Sequence, residues 1–107
     1  MLMKKTLEEY MQEYHAAHTK TGTKLTHMVG IPMILASLPM APFNPLLAGG
    51  LFAGGWALQF VGHYVFEKND PKFFGDPMNL AIGVVWAAVE WAHLVGVELP
   101  IPGAKSA

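Results

Sequence analysis

The sequence predicts an all-α chain: a small integral membrane bundle in which an N-terminal amphipathic helix precedes three apolar helices. Three observations point there. Charged residues make up 14% of the 107 residues, against roughly 25% in an ordinary soluble domain. The stretch from Leu25 to Phe66 holds no Asp, Glu, Lys or Arg, and neither does Pro77 to Val89. The charges gather instead in residues 1–24 and between Glu67 and Asp76. A soluble chain of this size must clothe its surface, so long charge-free runs divided by polar turns read as spans and their connections. The length allows one domain, 1–107.

The elements follow in order. Over residues 4–20, Leu7, Tyr10, Met11, Tyr14 and His18 recur at helical spacing with the charges mostly elsewhere, which makes the 1–24 segment an amphipathic interfacial helix. Such a helix lies on a membrane surface or caps a bundle. Thr19 to Lys24 (Thr-Lys-Thr-Gly-Thr-Lys) breaks it, and Thr23 or Thr26 can cap the next helix. The segment 27–42 is a short apolar helix holding Pro32 and Pro39, either a kinked span or a re-entrant piece. The segment 46–66 is long enough to cross a bilayer, at about 32 Å. Its Gly49, Gly50 and Gly54 suit close helix packing. The segment 78–97 is a third apolar helix, interrupted by Glu90 and His93. Lysine bias places residues 1–24 and 67–77 on the cytoplasmic side of the membrane, the inner membrane in a bacterium. Met78 then starts its helix at that face, and Glu90 lies about 18 Å along it. A soluble or peripheral bundle with the same helices as its core is the alternative.

Composition also excludes. The chain has no Arg and a net charge of −1, so there is no basic footprint for nucleic acid. It has no Cys, so there is no disulfide framework and no thiolate ligand. A secretory signal is not expected in so polar an N-terminal segment.

Ionisable groups in or beside apolar segments are costly and mark functional candidates. Here they are His27, His63, Glu90 and His93, flanked by His15, His18 and Glu67. His15 and His18 share a helix face, as do His63 and Glu67. Glu90-x-x-His93 has the spacing of carboxylate-bridged metal sites. A helix–turn–helix at 19–26 lets His18 and His27 meet, and His63 with Glu67 ends the long span on the same face. Three imidazoles together cost desolvation unless something binds them. Imidazole suits Zn, Cu, Fe and Ni, and with open positions non-haem Fe(II).

The run Gly55-Trp56-Ala57-Leu58-Gln59-Phe60-Val61-Gly62-His63-Tyr64-Val65-Phe66-Glu67-Lys68, followed by Pro71, resembles the Mpo-like family, the fungal 2-hydroxy fatty acid dioxygenases of the endoplasmic reticulum and their bacterial relatives. Tyr14-x-x-x-His18, then His27 and Gly30-Ile31-Pro32, match upstream, and Glu90 matches a carboxylate of the last helix. Where the family has Asn and Pro between its first two histidines, Thr19 to Thr26 has neither. The resemblance spans about residues 10–91. It implies an Fe(II)-dependent dioxygenase that shortens a 2-hydroxy fatty acid by one carbon, consuming O₂ and releasing CO₂ at the membrane surface. His18, His27 and His63 would bind the iron. Glu67 and Glu90 would serve as catalytic groups, ligands or orienters of the imidazoles. His93 and His15 are additional candidates for the metal or its surroundings. Tyr14 and Gln59, within the matched segments, are candidates to bind substrate. So is Lys68, or Lys72, by charge complementarity to a carboxylate. The partners implied are the 2-hydroxy fatty acid, O₂ and the lipid bilayer, with a homo-oligomer left open. The competing readings are a non-catalytic membrane scaffold or lipid-binding protein, and a metal-dependent hydrolase using the same histidines.

Overall fold

A computed structural model describes residues 5–102. Lys4, the start of the predicted amphipathic helix, and Lys105, the one lysine of the tail, lie outside the described residues. Four α-helices are present, α1 (Leu7–Ala16), α2 (Thr21–Met40), α3 (Pro45–Val61) and α4 (Asn79–Leu94), with a π-helical turn Gly62–Glu67 continuing α3 and a 3₁₀ turn Lys72–Phe74. The described residues hold no strand.

α1 is shorter than the predicted 4–20 because its ends are fixed locally. Thr6 accepts from the Glu9 amide at 3.2 Å and the Glu9 carboxylate accepts from the Thr6 amide at 3.0 Å. This reciprocal pair satisfies two of the donors that every helix start leaves open. The chain leaves the helix after Ala16, which carries His18 into the turn. The predicted apolar face is the buried one: Tyr10, Met11, Tyr14 and His18 are at most 6% exposed. It packs against α4 around Trp86, Ile82 and Val89, so α1 caps a bundle.

α2 begins six residues before the predicted His27 and runs unbroken through Pro32 and Pro39. Its own N-cap residue, Lys20, supplies no side-chain bond. The cap comes from the far end of the long helix instead. Glu67 Oε1 accepts from the Thr19 and Lys20 amides at 2.9 and 3.0 Å, and its Oε2 accepts from the Thr19 hydroxyl at 2.6 Å. That carboxylate at a helix start offsets the weak helix preference of Thr21, Gly22 and Thr23. α3 starts at a conventional cap: Asn44 accepts from the Leu47 amide and Pro45 holds the first helical position.

α2 and α3 form the largest helix pair of the fold. They approach closely where glycine faces glycine. A Cβ on Gly55 would stand 2.7 Å from the Gly30 carbonyl oxygen, and one on Gly30 would stand 2.8 Å from the Gly55 carbonyl oxygen. The sequence reading favoured Gly49, Gly50 and Gly54 for such a contact. Of these, Gly49 and Gly50 face open space, and Gly54 meets only the end of Met33.

Among the described residues, Pro45–Glu67 is the helix long and apolar enough to cross a membrane, at 23 residues and mean hydropathy 1.2. Its most apolar window is 22% buried inside the fold. The expectation of three spans therefore narrows to this one. Asn79–Leu94 is apolar but shorter, and α2 opens on two turns rich in Thr, Lys and His.

Candidate metal centre

Three histidines meet at the junction of α1, α2 and α3. His18, His27 and His63 each offer a ring nitrogen within 4.8 Å of the others, and all three are buried. Their ring centroids stand 4.6 to 4.7 Å apart, with planes steeply inclined to one another. The π turn presents His63. Gly62 beside it makes room, since a Cβ there would sit 2.9 Å from His27 Cε1 and 3.0 Å from its Nδ1.

Each ring is held by one nitrogen. His18 Nδ1 lies 2.7 Å from the Tyr14 carbonyl and His27 Nδ1 lies 3.0 Å from the Thr23 carbonyl. His63 Nδ1 lies 2.8 Å from Asn69 Oδ1. The Asn69 amide is oriented by its Nδ2, which donates to the Ala17 carbonyl at 3.2 Å. All three acceptors are oxygens, so each Nδ1 carries the proton and each Nε2 presents a lone pair. Two of those lone pairs, on His27 and His63, face one another at 3.1 Å. The third, His18 Nε2, is buried with no hydrogen-bond partner. Lone pairs aimed at one another in a buried place repel unless a cation stands between them. A spacing of 3.1 Å is about that of two nitrogens each roughly 2.1 Å from one ion at a right angle. The donor set therefore fits a divalent ion, and the cluster can bind one. Burial, with the neighbouring His27 second, pushes His18 down to about 3. It is thus neutral, the form in which imidazole ligates.

Aromatic rings close the site. Tyr14 stacks on His18 at 4.0 Å and 9°, and Trp86 packs against both at 5.5 Å. The sequence reading set Met78, the start of the last helix, at the histidine level. The structure puts the middle of α4 there. Trp86 covers His18 and His27, and the Trp91 indole donates to the Met28 carbonyl at 2.8 Å. This placement brings Glu90 within 3.8 Å of His15, both largely buried. Glu90 and His15 form a pair on the α1–α4 side of the cluster, and His93 also lies outside the three-histidine group. Glu67, the predicted neighbour of His63, turns to the α1–α2 turn with both oxygens engaged.

A cavity of about 250 Å³ opens beside His27 and His63 and is lined mainly by apolar side chains, among them Ile31, Ile34, Leu35, Trp56 and Phe73. Tyr14, Gln59, Lys72 and Asn79 also border it. Lys72 is therefore the lysine at the cavity, held 3.5 Å from Glu13, while Lys68 is exposed, with a left-handed backbone where the π turn ends.

Asn69 is the residue that spacing arguments passed over. Its signal is faint: an Asn just past a helix end, six residues after a histidine. Metal-ligating imidazoles rely on such acceptors, whose loss typically costs ten- to hundredfold in affinity. Asn69→Ala is expected to weaken Fe(II) or Zn(II) binding by about that factor. Asn69→Asp keeps the acceptor and should hold either metal more tightly than Asn69→Ala does. Competition against a chelator measures both.

A family model described as 2-hydroxy-palmitic acid dioxygenase Mpo1-like matches residues 4–98. No curated protein and no solved structure shows a match.

Proposed function

The chain belongs to the 2-hydroxy-palmitic acid dioxygenase Mpo1-like family, and from that premise we propose that it is a non-haem iron dioxygenase removing one carbon from 2-hydroxy fatty acids. The observation that carries this reading is the convergence of three imidazole lone pairs beside an apolar cavity that His27 and His63 line. Such a place suits a substrate with a chelating polar head and a greasy tail.

His18, His27 and His63 would hold Fe(II), leaving coordination positions for other ligands. Bound there, the iron supplies the one-electron chemistry that lets triplet O₂ react with a closed-shell acid. The overall reaction balances: R–CHOH–COOH and O₂ become R–COOH, CO₂ and water. Four electrons leave the two carbons and reduce one O₂. The protein's part is placement. Tyr14 and Trp86 wall off His18 from water. Ile31, Ile34 and Leu35 on α2 receive the alkyl chain opposite Trp56. Glu67 acts as a positioning residue, because it ties the turn carrying His18 to the helix end carrying His63. The Glu90–His15 pair holds α4 against α1.

A membrane home fits the same reading. Besides the Pro45–Glu67 helix, large side chains such as Leu25, Leu38 and Leu94 point outward. An acyl substrate can then be drawn from lipid. Glu67 meets the Thr19 and Lys20 amides, so the lysine-bearing segments 1–24 and 67–77 share one end of the α2–α3 pair, and their lysine bias supports a cytoplasmic side for the site.

Purified protein loaded anaerobically with Fe(II) should consume O₂ when given a 2-hydroxy fatty acid. It should release the acid one carbon shorter with equimolar CO₂. Absence of turnover across chain lengths in iron-loaded protein would overturn the proposal.

A further inference from the structure

The cavity is lined mainly by apolar side chains, and two polar ones enter it from different helices. Tyr14, on α1, stacks on His18, so its ring lies in the histidine layer. Its hydroxyl end reaches the cavity wall at Gly83, where a Cβ would sit 2.8 Å from the oxygen. Among the described residues nothing hydrogen-bonds that hydroxyl. Gln59, on α3, lies one turn before His63, about 6 Å along the helix. It is 6% exposed, and its amide nitrogen is buried without a partner. It packs on Gly30, one turn beyond His27. A carboxamide there is costly unless a ligand completes its hydrogen bonds. Lys72 and Asn79 also border the cavity. Asn79 lies seven residues before Trp86, about 10 Å along α4, and its amide nitrogen donates to the Lys72 and Asp76 carbonyls.

We propose that the Tyr14 hydroxyl and the Gln59 carboxamide are the specificity pair for the polar head, donating hydrogen bonds to the carboxylate and 2-oxygen of a metal-chelated 2-hydroxy acid. This rests on the dioxygenase reading above and deepens it. The chemistry is selective. A chelating 2-hydroxy acid brings two oxygens to the ion and keeps a further carboxylate oxygen that needs a donor. An unsubstituted acid presents one oxygen fewer to the same walls. A site built around donors rejects a ligand that leaves them unpaired far more strongly than an apolar wall rejects an extra group.

The test uses the full chain, loaded anaerobically with Fe(II) so that no turnover occurs. Calorimetric titration compares 2-hydroxydecanoate with decanoate. Wild type should prefer the hydroxy acid. Tyr14→Phe keeps the ring on His18 and removes only the hydroxyl. Gln59→Leu keeps the shape and removes the amide. Each should weaken binding of the hydroxy acid about tenfold or more, since hydrogen bonds to charged groups are worth about 1.5–3 kcal/mol, and the one that removes the donor to the 2-oxygen should cut the preference by that factor. Iron stoichiometry should be unchanged. Gln59→Glu should weaken both acids by charge repulsion. A preference that survives intact in both Tyr14→Phe and Gln59→Leu, with iron retained, overturns the pair while leaving the dioxygenase reading standing. Failure of iron-loaded wild type to bind either acid overturns both together.

Discussion

His63→Ala should strip the protein of tightly held metal. Structural zinc sites contribute about 10–16 kcal/mol in all, so one ligand of three or four is worth about 3–5 kcal/mol, or roughly a hundred- to several thousandfold in affinity. The variant removes one of the two lone pairs that face each other at 3.1 Å. It leaves His18 and His27 pinned to the Tyr14 and Thr23 carbonyls. A ligand at a hundred times its dissociation constant stabilises the fold by about 2.7 kcal/mol, about 10 °C or more in a domain of this size. Wild type should therefore melt higher with metal than with chelator, and His63→Ala should melt alike in both. Equal iron stoichiometry in variant and wild type, measured after dialysis, would remove His63 from the site.

Gly62→Ala is the second large effect, and competing terms decide its sign. Gly62 has ordinary right-handed helical angles, φ −56° and ψ −46°. Alanine would gain about 1 kcal/mol there on propensity alone. The new Cβ, however, meets the Thr26 hydroxyl and the His27 ring, whose Nδ1 is 3.0 Å away. His27 cannot retreat without giving up the Thr23 carbonyl. Overpacking of this kind costs about 1–3 kcal/mol, so the crowding outweighs the propensity. The expected result is a modest loss of melting temperature with a larger loss of metal affinity, since the imbalance falls on a ligand. A Gly62→Ala chain that binds metal like wild type would show that the ring has room the geometry does not reveal.

The helical class was legible in the sequence as a local signal, and the approach of His18 to His27 nearly so, whereas His63 joins them from 36 residues beyond His27 through the topology of the helices. Charge-free runs mark helices, and a polar break between His18 and His27 allows a reversal. The boundaries were less legible. Thr21-Gly22-Thr23 reads as loop by propensity, yet α2 starts there because Glu67, a carboxylate 47 residues beyond Lys20 and 48 beyond Thr19, caps the turn. No window along the chain contains that cause. Glu67 and His63 share a face on an α-helix, and the π turn instead sends them to different partners. Glu90 was out of place only while the last helix was hung from Met78. Once Trp86 sets the level, Glu90 falls beside His15. Asn69 stayed hidden because a side-chain acceptor for an imidazole leaves no periodic trace.

The three fixed Nδ1 protons have an electrostatic corollary. Every ligand in the cluster is neutral, so a divalent ion seated there keeps its full double charge amid apolar walls. The nearest carboxylate, Glu67, is committed to the α1–α2 turn and supplies no compensation from within the ligand set. Burying an uncompensated charge is among the most costly arrangements a fold can hold. The loaded centre therefore has an appetite for an anion. Under the proposed function a 2-hydroxy acid would arrive with one, so the charge balance that the protein withholds would be completed by its substrate.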